Sequence, residues 1–271
     1  MAFKMKYVIE KDYINIGTLR RSGIKITGGK PRFGVLHDTG NPQSTAKGNV
    51  SYYKNSANTM SASAHTFIDD KHIIECIPMT TGTPEKAWHV IYDKPLDNQM
   101  FGDDANDIAV GIELCFGTNI NFEEAYKRYL WYSAYCAYKF GYSPTKYVGH
   151  HILDPQRKTD PVNALKRYGK TYEQLLKDIV DEYNECLGIG TVTKNENEEE
   201  LTMSQYTELK KEIEELKAQL NSKETQPSTW SKDAWKWAKD EKLTDGTNPK
   251  GFITREQVVV MLKRFYDLIK K

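Results

Sequence analysis

The chain has 271 residues, with 38 lysines and arginines against 37 aspartates and glutamates, so its formal net charge at pH 7 is +1. Such a balance argues against a nucleic-acid partner, which requires a basic surface. No apolar run approaches the roughly 20 residues of a membrane-spanning helix, so we expect no membrane partner. The length allows one substantial core and a smaller appendage.

The beginning of the chain, MAFKMKYVIEKDYI, lacks a sustained apolar segment and a cleavage site. We therefore expect no signal peptide and synthesis into a cytosol, from which another component must release a protein that acts outside the cell. Four widely separated cysteines without paired spacing indicate reduced thiols, which fits the same compartment.

The first clear strand is PRFGVLHDTGN, an apolar run that ends at His37 and is followed by turn residues. The tip of a rigid strand is a common position for a metal ligand, although a solvated histidine at a strand end is the simpler alternative. A short helix over residues 48–58 follows. A strand that contains His65 and its hairpin partner at residues 72–77 are predicted next.

A long loop after Pro78 contains Trp88 and His89. An aromatic side chain beside a histidine suits contact with sugar or peptide, while a tryptophan that fills the edge of the core is an equal alternative. The pattern of residues 107–117 predicts a central strand with Glu113 on the face opposite its aliphatic side chains. A carboxylate in such a strand costs several kcal/mol unless it is paired or functional.

An aromatic-rich helix over residues 121–140 and a short strand lead to the segment GHHILDPQRKTDP, residues 149–161. Counted from His150, Lys158 lies eight residues on and Asp160 ten residues on. The segment must loop back to bring His150 and Asp160 onto one zinc ion. His151 competes with His150 for this role, and the spacing to Asp160 favours His150. An amphipathic helix over residues 171–188 closes this part of the chain.

Composition changes after Gly188, and three parts are predicted: a domain at 1–188, a linker at 189–225 and a small helical domain at 226–271. The linker contains apolar residues at heptad spacing over 206–220. This pattern predicts either a short coiled coil through which chains associate, or a single exposed helical spacer. The last part is predicted to form two helices, the second with Thr254 as its N-cap.

Five motifs carry a family resemblance: HDTGN at 37–41, SAH at 63–65, AWH at 87–89, GIEL at 111–114 and GHHILDPQRKTDP at 149–161. Together they resemble the zinc-dependent N-acetylmuramoyl-L-alanine amidases of the type 2 family. That family includes phage endolysins and bacterial autolysins and is related in fold to peptidoglycan-recognition proteins. The resemblance covers roughly residues 20–185 and implies an α/β fold with a central mixed β-sheet flanked by helices.

The resemblance also implies a site. Its zinc ligands would be His37, His150 and Asp160, and its catalytic pair would be Glu113 as general base and Lys158 as stabiliser of the oxyanion. We further expect three side chains to contact substrate, namely His65, Trp88 and His89. The sequence departs from the family pattern at two positions: Ile152 stands where many relatives have an acidic residue, and Ala64 stands where some members have a tyrosine.

The C-terminal segment resembles a single S-layer homology module. This implies binding to a secondary cell-wall polysaccharide of Gram-positive bacteria, with Arg255 and Glu256 at the binding helix and Trp230 or Trp235 stacked on sugar. The alternative is that the charged pair only begins a helix and the tryptophans lie in a core.

The function implied is hydrolysis of peptidoglycan between N-acetylmuramic acid and L-alanine, with one Zn²⁺ per catalytic domain, in a phage endolysin that waits in the host cytoplasm. A bacterial autolysin with the same chemistry is the alternative. Three different functions would also be compatible with these motifs: a peptidoglycan-binding protein without catalysis, a wall-anchored structural protein, and an enzyme that cleaves within the stem peptide.

Overall fold

The computed structural model describes residues 2–92, 95–189, 227–241, 244, 258–263 and 266. The chain divides into two compact units, Met1–Thr193 and Lys194–Lys271. The heptad segment 206–220 and the predicted linker beyond residue 189 lie outside the described residues. The predicted boundaries at 188 and 225 stay predictions.

The first unit is built on a six-stranded sheet with the order β1-β4-β3-β5-β2-β6. In this sheet β3 and β4 pair antiparallel, while the other neighbours are parallel, so the predicted mixed α/β fold is confirmed. The strands are β1 Glu10–Lys11, β2 Phe33–Asp38, β3 Thr66–Ile68, β4 Ile73–Glu75, β5 Ala109–Leu114 and β6 Tyr147–Gly149. The hairpin predicted near His72 is β3–β4, although β3 begins one residue after His65.

Helices in the described part of this unit surround the sheet: α1 Ala46–Asn55, α2 Pro95–Phe101, α3 Ala105–Ile108, α4 Phe122–Phe140, α5 His150–Leu153, α6 Val162–Arg167 and α7 Tyr172–Leu187. The long helices have the ends that their sequences predict. Asn121 and Thr171 cap the first turns of α4 and α7 with their side chains, and the left-handed Gly141 and Gly188 end them. The segment 149–161, predicted as a loop, begins instead with the single helical turn α5.

The sheet is buried on both faces. The aliphatic face of β5, with Val110, Ile112 and Leu114, belongs to the large core that also contains the inner residues of α4 and α7. A smaller cluster contains Phe33 and Val35 of β2 together with residues of α3, β5 and β6. Along β2, the side chain that follows Phe33 and Val35 in this alternation is His37. The smaller cluster therefore ends where the polar residues of the site begin.

A buried carboxylate fixes the loop that follows β4. Glu75 is fully buried and accepts hydrogen bonds from the backbone of Met79, Thr80 and Thr81, from both threonine hydroxyls, and from the Tyr132 hydroxyl of α4. A buried carboxylate is tolerated where hydrogen bonds of this kind replace its hydration. The loop that leads to Trp88 and His89 thus starts from a rigid anchor.

The described part of the second unit contains a 3-10 turn, Thr229–Ser231, and helix α8, Lys232–Asp240. Trp230 is 88% exposed and Trp235 is half-buried, so the expectation of a core position fails for Trp230. Residues 258–263 are helical, as predicted. The predicted wall-binding residues Arg255 and Glu256 lie outside the described residues. Among the helices that are described, we find none with the length and apolar character needed to cross a membrane.

Candidate active site

Parallel pairing of the central strands brings His37 and Glu113 together. His37 of β2 is the register partner of Glu113 of β5, so both side chains leave the same face of the sheet. The Tyr129 hydroxyl of α4 lies 3.1 Å from the carbonyl oxygen of His37 and 3.3 Å from that of Ile112, which ties the ends of the two strands to the helix. Two residues 76 positions apart in sequence are thereby held side by side.

The third strand of this group delivers His150. Leu36 pairs with Gly149 of β6, and His150 follows directly as the first residue of α5. The chain then returns, and the backbone N–H of His151 donates to the carbonyl oxygen of Asp160 at 2.9 Å. The His151 ring packs edge-on against Tyr172, with ring centroids 4.8 Å apart, whereas the His150 ring faces His37. The structure therefore favours His150 over His151 as the site histidine.

His37, His150 and Asp160 form one cluster. Asp160 Oδ2 lies 2.9 Å from His37 Nδ1 and 3.1 Å from His150 Nδ1. Burial lowers the pKa of His37 to about 4, against the hydrogen bond to Asp160, so this imidazole is neutral at pH 7. Burial tends to raise the pKa of Asp160, but the hydrogen bonds from His150 and His37 outweigh it and hold that pKa well below its ordinary value.

The donor set of this cluster suits a divalent metal ion. One candidate ligand atom from each of the three residues lies within 4.8 Å of the other two. Two imidazole nitrogens with one carboxylate oxygen are a usual set for a zinc ion that keeps a position open for catalysis. The Nε2 atom of His150 is buried and has no hydrogen-bond partner among the residues that the structure describes. Buried polar atoms normally have such a partner, so this ring is placed to bind a ligand and not only to pack. The residues present therefore fit a metal.

A polar cavity of about 370 Å³ opens over the cluster, and both predicted catalytic side chains, Glu113 and Lys158, line it. Burial, with the negative charges of Asp160 and Asp38, raises the pKa of Glu113 well above its ordinary value, and Lys158 opposes the shift. The Oε2 atom of Glu113 is buried and has no hydrogen-bond partner within the described ranges. A carboxyl group so placed can exchange a proton with a ligand in the cavity.

Trp88 and His89 also line the cavity. The Nδ1 atom of His89 lies 3.2 Å from Nε2 of His37, and its backbone N–H donates to the side-chain oxygen of Asn106 at 2.8 Å. The ring lies on Gly111, where an added Cβ would stand 2.6 Å from His89 Cγ. The glycine of the GIEL motif thus permits the close approach of His89 to β5.

His65 has a different position from the one predicted. It is fully buried and does not line the cavity. Its Nδ1 accepts from the Gly111 N–H at 2.9 Å, so its Nε2 donates to the Glu85 carbonyl oxygen at 2.9 Å. These bonds make His65 a cross-link between the end of β3, β5 and the loop before Trp88. They do not support its predicted contact with substrate, which stays a prediction.

The structure adds two residues to which the sequence analysis assigned no role. Asp38 accepts from Gly40 N at 2.9 Å and from Ala164 N at 3.1 Å, which joins the end of β2 to α6 just after Asp160. Burial raises the pKa of Asp38 to about 6, against these two hydrogen bonds. Asn106 holds the backbone of both His89 and Val90. A usable signal for Asp38 was its place two residues before a glycine, which predicts an Asx turn.

Comparison with known proteins gives one family. The model of the family described as N-acetylmuramoyl-L-alanine amidase matches residues 27–163, about half of the chain. A curated relative is the bifunctional autolysin of Staphylococcus aureus, which is 27% identical over 190 residues. That match covers 65% of this chain but 14% of the relative, so the chain spans a small part of the relative's length.

Two solved structures share the fold. The Staphylococcus aureus hydrolase AmiA, determined in complex with its ligand, is 24% identical with a TM-score of 0.55, over 68% of this chain and 87% of that one. The catalytic domain of XlyA is 22% identical with a TM-score of 0.51, over 64% of this chain and 99% of that one. At these identities the likeness concerns the fold alone.

The cluster geometry predicts that the purified chain binds one divalent ion through His37, His150 and Asp160. His150→Ala should lose the ion because two ligands rarely retain it, whereas His151→Ala should keep it. Metal analysis after gel filtration measures this, with His72→Ala, which lies outside the cluster, as the matched control. Retention of a full equivalent of metal by His150→Ala would refute the ligand set.

The burial of His65 predicts a pH dependence of stability. Its pKa falls from the ordinary 6.5 to about 4 in the folded protein because of burial. Below pH 6.5 His65 binds a proton in the unfolded chain, whereas in the folded chain it binds one only near pH 4. The free energy of unfolding therefore decreases as the pH falls from 6.5 to about 4. Between pH 7 and pH 5 the loss from this group is about 2 kcal/mol.

Urea unfolding at pH 7 and pH 5 tests this prediction. In His65→Gln the change in free energy of unfolding between the two pH values should be smaller than in the wild type by that amount. Gln43→Asn, a change of an exposed side chain that does not titrate, should leave the change as it is in the wild type. An identical pH dependence in His65→Gln and the wild type would contradict the assignment.

Proposed function

The chain belongs to the N-acetylmuramoyl-L-alanine amidase family, and from this we propose that it hydrolyses the amide bond between N-acetylmuramic acid and the L-alanine of the peptidoglycan stem peptide. The observation that carries the proposal is the convergence of His37, His150 and Asp160 beside the buried Glu113 in one polar cavity.

We infer that the three clustered side chains hold a zinc ion. When bound, zinc supplies a Lewis acid that lowers the pKa of water toward ~7 and polarises a carbonyl group. The chain's part is to present ligands in the required protonation state, and the neutral His37 and ionised Asp160 do so at neutral pH. Asp38 and His151 support the return of the chain that carries Asp160.

Glu113 is the proposed general base and acid. Its carboxylate takes a proton from the attacking water and gives it to the nitrogen of the departing alanine. A pKa raised by burial suits this exchange, because a carboxyl group of ordinary pKa gives up its proton too readily to hold it between the two transfers. The fixed position on β5, opposite His37, keeps the carboxyl group beside the reacting carbon.

Lys158 is the proposed electrostatic partner. It lines the cavity, and it takes part in no ion pair among the residues that the structure describes. Its ammonium group can therefore stabilise the negative charge that develops on the carbonyl oxygen during attack. Trp88 and His89, on the same cavity, are the proposed contacts to the sugar or peptide on either side of the bond.

The setting that we propose is lysis of a Gram-positive host by a phage endolysin held in the host cytoplasm until release, with an autolysin of the same chemistry as the alternative. The second unit is proposed to bind a secondary cell-wall polysaccharide as an S-layer-homology-like module. The exposed Trp230 supports this, since an exposed tryptophan offers a sugar a flat apolar face. The proposed binding surface also includes Trp235, Arg255 and Glu256. Self-association of chains is proposed to occur through residues 206–220.

Digestion of purified cell walls tests the cleaved bond. We expect new amino termini that belong to the L-alanine of the stem peptide, and mass spectrometry should find intact stem peptides separated from muramic acid. Fragments cut within the stem peptide would replace the proposal by a peptidase activity. Walls left intact by the metal-loaded chain would favour a binding protein without catalysis.

The role of Glu113 predicts the behaviour of one variant. Glu113→Gln should lower kcat by a factor of about 10²–10⁴ because the amide cannot accept the proton, while the metal content stays that of the wild type. Release of amino termini under saturating substrate and metal analysis measure both quantities. Glu173→Gln, in the exposed first turn of α7, is the matched control and should keep the wild-type rate. Turnover by Glu113→Gln at the wild-type rate would exclude this carboxyl group as the base.

A further inference from the structure

A second cavity, of about 520 Å³, adjoins the catalytic one on the side of α1. Four residues line both cavities: Thr39, Tyr53, Ala62 and Glu113. Glu113 therefore stands at the junction, so a substrate whose scissile bond reaches Glu113 has room to extend one of its two arms into the second cavity. The side chains of the second cavity therefore indicate whether this arm is the peptide or the glycan.

The second cavity contains a buried cation without a counter-ion. Arg20 is 1% exposed, and no carboxylate forms an ion pair with it within the described residues. Its Nε and Nη2 donate to the Ser56 hydroxyl at 3.0 and 2.8 Å, its Nη1 donates to the Ala62 carbonyl oxygen, and its guanidinium lies 4.0 Å from the centre of the Tyr53 ring. The direct contacts of this charge are thus all with neutral groups, and the carboxyl group in the lining of the same cavity is that of Glu113. Burial of a charge is costly when no anion pairs with it.

Two donors of this cavity converge on a poor acceptor. Arg20 Nη2 lies 3.4 Å from the sulfur of Met60, and the Tyr52 hydroxyl donates to the same sulfur at 3.0 Å. A thioether sulfur is a weak acceptor. Met60 is 43% exposed and Tyr52 is 52% exposed, so the flexible methionine can move aside without opening the core. The sulfur occupies a position in which a carboxylate oxygen would satisfy both donors better.

We propose that Arg20 and Tyr52 form a carboxylate-binding subsite for the stem peptide, in which the ligand replaces the sulfur of Met60 as acceptor. This rests on the proposed function. The anion comes from the peptide arm because the lactyl carboxyl group of muramic acid is consumed in the scissile amide, whereas the stem peptide keeps free carboxylates. The second cavity is therefore the peptide arm of the site, and the glycan leaves the junction on the other side.

The subsite acts on binding rather than on the chemical step. Arg20 and Tyr52 do not line the catalytic cavity, so their contacts are equal in the ground state and the transition state. Loss of such a contact raises KM and leaves kcat unchanged. A hydrogen bond to a charged group contributes enough for an effect of about tenfold.

Two matched substrates test the proposal with the metal-loaded full chain: a muramoyl tetrapeptide with free stem carboxyl groups, and the same compound with these groups amidated. With two such contacts, from Arg20 and Tyr52, the wild type should prefer the free form by about 100-fold in kcat/KM, through KM. Tyr52→Phe should reduce this preference by about tenfold. Arg20→Gln should abolish it, and Arg20→Lys, which keeps the charge, should restore part of it.

Tyr92→Phe is the control, since it removes the hydroxyl of another exposed tyrosine that lines neither cavity, and its preference should equal that of the wild type. Thermal unfolding identifies any Arg20 variant that does not fold, and Tyr52→Phe, altered on an exposed side chain, then decides. Equal kcat/KM of the wild type for both substrates, or an undiminished preference in Tyr52→Phe, would overturn the subsite and leave the amidase proposal standing.

Cleavage of neither substrate would overturn the amidase proposal itself. Calorimetric binding of the free and amidated tetrapeptides then decides the subsite separately. Tighter binding of the free form, lost in Tyr52→Phe, supports it, and equal binding refutes it.

Discussion

The parallel pairing of β2 with β5 and β6 is the constraint on which the site depends. It places His37 beside Glu113 and ends β6 where His150 begins. A slip of one residue in either pair would turn a site residue to the opposite face of the sheet, because side chains alternate along a strand. The apolar residues before the site, Phe33 and Val35 on one face and Leu36 on the other, fix this register through their burial.

Buried polar groups around the sheet are of two kinds. Glu75 and His65 have every hydrogen-bonding atom engaged, and they stiffen the loops that lead into the catalytic cavity. Glu113, His89 and His150 each keep a buried atom without a partner among the described residues. Ser133, buried on α4, also has such an atom, so one unsatisfied group by itself does not mark a site. The convergence of three at the catalytic cavity is what indicates a place that binds a ligand.

Several features were predictable from local patterns. The alternation in β5, the capped helices α4 and α7 and the hairpin β3–β4 follow from short-range periodicity and end signals. The roles of His65 and His89 were not predictable in this way. Both are histidines that follow small or aromatic residues in short motifs. In the fold, the His89 ring lies on Gly111 and faces the cavity, whereas the His65 ring accepts a hydrogen bond from the Gly111 N–H and belongs to the framework.

The sequence by itself determined the elements and the set of side chains able to form the site, because periodicity, caps and the five motifs are local properties of the chain. Tertiary structure alone decided which of His150 and His151 turns toward His37, since that choice depends on Tyr172 and on the return of Asp160. It alone revealed Arg20 as a buried cation, because burial is the sum of contacts from Tyr53, Ser56 and Ala62, which only the folded chain gathers around it.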